Sequence, residues 1–136
     1  MTRGEFLAIP KMEKRIALLT SSVAALRSLA TSLSAPIGGD RVQASGSSDR
    51  VGRLVAEIAD AEVEMEKEIQ RITELRLEAL TMIKELQDPE RTVMYLRYVA
   101  GMNWERIGDE VHYEYHYLFR IRHKALRELF PEDNAG

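Results

Sequence analysis

The stretch "HYEYHYLFRIRHKA", residues 112–125, holds all three histidines of the chain and three of its five tyrosines. Arg120, Arg122 and Lys124 are interleaved among them, and Arg127 follows closely. Imidazole, phenol and guanidinium at this density could ligate a metal, pave a strand or read nucleic acid. His112 and His116 stand four apart and His123 seven further on, a spacing zinc accepts when all three share a helix face. The chain has no cysteine, and His112 is expected in a turn with no acid partnering it, so no metal is expected. Alternation of Tyr113, Tyr115, Tyr117 and Phe119 suggests a strand, but Leu118, Ile121, Ala125 and Leu129 recur at helical spacing and decide for a helix.

Little else in the chain suggests chemistry. Ser45, Ser47 and Ser48 have no base near them in sequence. Gly38, Gly39 and Gly46 lack the Lys-Ser/Thr sequel of a phosphate-binding loop. The acids of "AEVEMEKE", residues 61–68, form an i, i+4 ladder that reads as a solvated helix face rather than a catalytic dyad, because no other group converges on it. No enzymatic activity and no cofactor are expected.

What would position residues 112–127 is a set of short helices. Asp88 followed by Pro89 is a helix start, with an N-cap acceptor and then a proline at the first helical position. That helix should run to about Ala100 and stop at Gly101 in a left-handed conformation. Asn103 can cap a short helix in which Trp104, Ile107 and Val111 face inward and Gly108 permits close approach to a neighbour. A turn at His112–Glu114 then leads into a basic helix over 115–130, with Tyr113 packed against the short helix. Helix, short helix, tight turn and basic helix make a helix-turn-helix, whose second helix enters the major groove.

"DPERTVMYLRYVAGMNWERIGDEV" followed by "LFRIRHKALREL" resembles region 4 of sigma-70-type factors. The "ER.V..LRY" run, the "G..WE.IG" short helix, and Leu118, Ile121, Lys124-Ala125-Leu126 and Leu129 carry the likeness. The whole chain is similar to small phage and prophage transcriptional regulators with such a C-terminus. The resemblance implies promoter-region DNA binding without catalysis, with RNA polymerase as a further partner. It puts Tyr115, His116, Tyr117, Phe119 and Arg120 at the base-facing positions. Glu114 stands where that family usually carries Thr or Ser, and Arg120 is the one arginine well placed for bidentate guanine contact. Arg120, Arg122, Lys124 and Arg127 are candidate phosphate anchors.

Two long helices precede this unit. Met12, Ile16, Leu19, Val23, Leu26, Ala30 and Leu33 repeat at alternating spacings of four and three, the pattern of a coiled-coil seam. Pro10 suits the first turn of that helix. Residues 34–50 read as a Gly/Ser-rich linker. Ile58, Met65, Ile72, Ala79 and Leu86, with Leu54, Ala61, Leu75 and Met82, predict a second helix from about Val51 to Leu86. The two seams can close on each other as an antiparallel hairpin or pair between chains, and a homodimer through the heptad helices is the expectation.

The fold expected is therefore all-α: two long heptad-patterned helices plus a C-terminal sigma-region-4-like helix-turn-helix. The segments are 1–33, the linker 34–50, the long acidic helix 51–87 and the helix-turn-helix 88–136. Net charge is −3, but it is unevenly spread. Residues 57–90 hold eleven acids against four bases, whereas 112–127 hold four bases against Glu114. No apolar run approaches the roughly 18–20 residues that span a bilayer and the N-terminus lacks a signal-peptide pattern, so a cytoplasmic protein is expected. Double-stranded DNA is the expected partner. A protein-binding adaptor for polymerase or a sigma factor, and a ring-forming small terminase-like packaging subunit, are the alternatives.

Overall fold

The computed structural model describes residues 1–34 and 45–134, and every regular element among them is a helix. Five α-helices follow in order: α1 Arg3–Ser34, α2 Ser45–Ile83, α3 Glu90–Tyr98, α4 Trp104–Val111 and α5 Tyr115–Leu129. A 3-10 turn, Pro131–Asn134, ends the described residues. Two compact units form, one from residues 1–13 with 71 onward and one from residues 14–70.

Helix α1 starts earlier than its proline suggests. Thr2 and Glu5 make a reciprocal capping box: Glu5 N–H donates to Thr2 Oγ1 (3.1 Å) and Thr2 N–H donates to Glu5 Oε1 (2.8 Å). Pro10 therefore lies inside the helix, not in its first turn. It forfeits one backbone hydrogen bond, a cost that the packing of its neighbours offsets: Phe6 and Ile9 are both buried. Helix α1 runs through Ser34 and α2 begins at Ser45, so residues 34 and 45–50 of the expected linker are helical; the rest, 35–44, lies outside the described residues. Once a helix is nucleated, each added residue gains a hydrogen bond, and weak formers at its end are carried along. At the other end α2 stops at Ile83, and bonds from Glu85 to Met82 O and from Leu86 to Ile83 O tighten the last turn.

In the unit of residues 14–70 the two helical segments run antiparallel within the chain. Arg15 reaches Glu64 (2.9 Å) and Glu68 (3.6 Å), Thr20 Oγ1 donates to Met65 Sδ, and Arg27 pairs with Glu62. Val23, Leu54 and Ile58 are the buried residues between them. Leu18, Leu29, Val55 and Val63 stay exposed. Between Ile16 and Ser34 the only charge is Arg27, and α1 is long and apolar enough to cross a bilayer by length and composition alone. That corrects the expectation that no apolar stretch approaches such a length: alanines, serines and threonines break up the visible run while adding almost no polarity.

The other unit is built around two clusters. Val93, Ile107, Leu118 and Ile121 form one core, flanked by Leu96, Met102, Trp104, Val111 and Tyr113, where α3, α4 and α5 meet. The second cluster draws in the very start of the chain. The Phe6 ring lies 4.4 Å from that of Tyr98 and 5.5 Å, edge-on, from that of Phe130. Beside it the start of α1 lies along the end of α2, held by Met1 N with Glu78 (3.2 Å), Glu5 with Arg71 (2.6 Å) and Glu13 with Arg76 (3.2 Å). Glu13 also covers Gly101, which has the expected left-handed conformation (φ 79°), although α3 itself ends earlier, at Tyr98 rather than Ala100; a Cβ on Gly101 would sit 2.6 Å from the Glu13 carboxylate.

Candidate nucleic-acid interface

The turn between α4 and α5 sets the direction of the aromatic-basic helix. Asn103 caps α4, its side chain accepting from Arg106 N–H (2.8 Å). Ile107 faces the core, with Trp104 and Val111 half-buried beside it, as the spacing predicted. At the far end His112 adopts a left-handed conformation (φ 58°, ψ 41°), and Tyr113 N–H donates back to Gly108 O (3.2 Å). Gly108 eases this close approach, because a Cβ would meet the Tyr113 carbonyl at 3.1 Å, a tight contact. Glu114 is extended and occupies the N-cap position of α5 without a side-chain cap bond. The inner face of α5 is Leu118, Ile121, Ala125 and Leu126; Leu126, not Leu129, takes the last fully buried place.

Helix α3 is also capped from upstream. Asp88 Oδ1 accepts from Thr92 Oγ1 (2.6 Å) and Thr92 N–H (3.3 Å), and Oδ2 accepts from Arg91 (3.1 Å). The Thr92 hydroxyl bond, aided by Arg91, holds the Asp88 carboxyl below its ordinary pKa. Pro89 takes the N-cap position and Glu90 the first helical one, one residue later than expected.

The eight candidate interface residues divide into three groups. Tyr115, His116 and Phe119 are exposed on the first two turns of α5, with the Tyr115 and Phe119 rings 5.2 Å apart and the His116 ring 6.3 Å from Tyr115. Tyr117 and Arg120 form a second set: Tyr117 stacks on Tyr113 (4.7 Å), and the Arg120 guanidinium lies 5.7 Å from the Tyr117 ring centroid. The remaining bases differ in how far they are already engaged. Arg122 is half-buried and its Nε donates to the Tyr98 hydroxyl (3.1 Å). Lys124 Nζ lies 3.1 Å from Glu90 and 4.0 Å from Glu128, and the Glu90 carboxylate raises its pKa. Arg127 is exposed on the last turn.

Residue types and spacing did not reveal two of these partners. Glu90 is buried, and with Pro89, Tyr117, Arg120, Ile121 and Lys124 it lines a groove of about 510 Å³. Tyr98 is buried, with its hydroxyl turned to Arg122. Neither contact is local in sequence, so no spacing rule could expose it. The third histidine, His123, is exposed on α5, and among the described residues no group of three or more His, Asp and Glu side chains could hold a metal. Compared with family models, curated proteins and solved structures, the chain finds no match.

Proposed function

We propose that this protein is a DNA-binding transcriptional regulator of the phage or prophage type, working in the cytoplasm without catalysis. In this reading α4, the turn at 112–114 and α5 act as a helix-turn-helix, and α5 docks in the major groove of double-stranded DNA. One observation carries it: α5 packs its inner face on α3 and α4 and turns outward a face bearing His116, Arg120 and Arg127, with exposed rings beside them. Arg120 and Arg127 are the anchors for phosphate. Arg122 and Lys124 contribute less, since each already has an intramolecular partner. Pairing of α1 with α2 inside the chain leaves Leu18, Leu29, Val55 and Val63 for a homodimer through the outer faces of these helices.

The exposed aromatics favour one rival, a protein-binding adaptor for RNA polymerase or a sigma factor, because tyrosine is enriched at interface hot spots. Fluorescence anisotropy separates the two. The full chain is titrated against the duplex upstream of its neighbouring genes and against a scrambled duplex, at several salt concentrations. Preferential binding that weakens steeply with salt supports the regulator. Absence of binding at low salt removes it and turns attention to polymerase, where Tyr115→Ala with Tyr117→Ala should abolish co-purification.

A further inference from the structure

The chemistry of the leading turns of α5 narrows what sequence such a helix would read. We propose that α5 selects thymine-rich duplex through the 5-methyl groups of thymine, an inference that rests on the DNA-binding reading above. Residues at the start of a recognition helix are those that reach base edges. Here they are Tyr115 and Phe119, 59% and 49% exposed, with their rings in contact across one helical turn. An exposed phenyl group makes no hydrogen bond to a base, and the apolar feature of the major groove is the thymine methyl. The usual reader of guanine, an arginine fork, is present once in this region, and Arg120 rests over the Tyr117 ring. Arg122 is held by Tyr98 and Lys124 by Glu90.

Charge favours DNA over an apolar protein groove as the occupant of this face. α5 carries Arg120, Arg122, Lys124 and Arg127 against Glu128, and with Glu90 paired to Lys124 the face still keeps a net positive charge. An apolar ring pair set among cations matches a polyanion whose groove floor carries methyl groups. Burying one methyl group is worth about a fourfold gain in affinity, so two thymines contacted together give roughly fifteenfold.

The test compares three duplexes of equal length by anisotropy with the full chain: alternating dA·dT, the same duplex with dU replacing dT, and alternating dI·dC. The dU duplex lacks only the 5-methyl groups. The dI·dC duplex keeps an A·T-like minor groove but presents a G·C-like major groove. The dT duplex should bind about fourfold to fifteenfold more tightly than dU, with dI·dC no better than dU. Phe119→Ala should narrow the dT/dU gap by about fourfold while leaving the salt dependence unchanged; its side chain is exposed, so the fold is retained. Equal affinity for dT and dU overturns methyl reading while leaving DNA binding standing. Failure to bind any of the three at low salt overturns both.

Discussion

Phe6→Ala tests whether the first turns of the chain are part of the unit that presents α5. The Phe6 ring is fully buried, 4.4 Å from Tyr98 and 5.5 Å from Phe130, so truncation cannot be relieved by solvent exposure. The lost burial amounts to about 2–3 kcal/mol, and the void left between two rings brings the total to about 3–5 kcal/mol. Tyr98 also accepts the Arg122 bond, so loosening it should be felt on α5. Trp104, the only tryptophan, packs on the core of α3, α4 and α5 and reports that core directly. Urea unfolding of wild type and variant, followed by Trp104 fluorescence and by far-ultraviolet ellipticity, gives the cost. Leu77→Ala, at a site 61% exposed and outside the faces offered for a homodimer, is the control and should shift stability by no more than about 0.5 kcal/mol. A Trp104 transition moved by less than about 1 kcal/mol in Phe6→Ala would refute the reasoning, because α3–α5 would then stand without residues 1–13.

Further consequences follow from single contacts. His112→Gly should raise stability by about 1 kcal/mol in denaturant unfolding, since glycine takes the left-handed conformation without strain; a loss would mean the imidazole makes a contact worth more. Gly101→Ala should do the reverse, by more than about 1 kcal/mol, because φ is 79° and the new methyl group meets Glu13. Asp88→Asn should lower the thermal midpoint at neutral pH. The folded carboxyl has a depressed pKa, so its contribution is full above about pH 5 and fades as pH falls below about 4. The midpoints of the two proteins should accordingly converge in acid, and a gap that persists at low pH would exclude the ionised cap. For DNA binding, Arg127→Ala should reduce the salt slope by about 1, whereas Lys124→Ala should change it less because Glu90 already neutralises that lysine; Glu90→Gln should steepen the slope. Equal slopes for Arg127→Ala and Lys124→Ala would show that Glu90 releases its partner on binding.

Much of the C-terminal unit is legible from local rules. Asn103 as a cap, Gly101 as a left-handed stop, Gly108 as a point of close approach and helical spacing from Leu118 onward each act within a few residues, so a sequence reader can find them. The all-helical class follows from the same local periodicities. The candidate interface was legible as a list of residue types but not as a surface. Arg122 and Lys124 look like Arg120 and Arg127 in the sequence, yet Tyr98 and Glu90 engage them. Pro10 was misleading in the opposite way: its local preference is for a first turn, and burial of Phe6 and Ile9 overrides it.

By itself, then, the sequence determined what nearest-neighbour physics controls: which segments are helical, which face of each is apolar, and which segment carries positive charge and rings, while the start of α1 and both ends of α2 differ from the local signals. Only tertiary structure decided that residues 1–13 complete the core behind α5, that α1 and α2 close on each other within one chain, and which cations remain free on the outer face. The reason is range. Caps and periodicities are satisfied within a turn or two of helix, whereas burial and ion pairing join groups far apart in the chain, and many different folds satisfy the same local pattern.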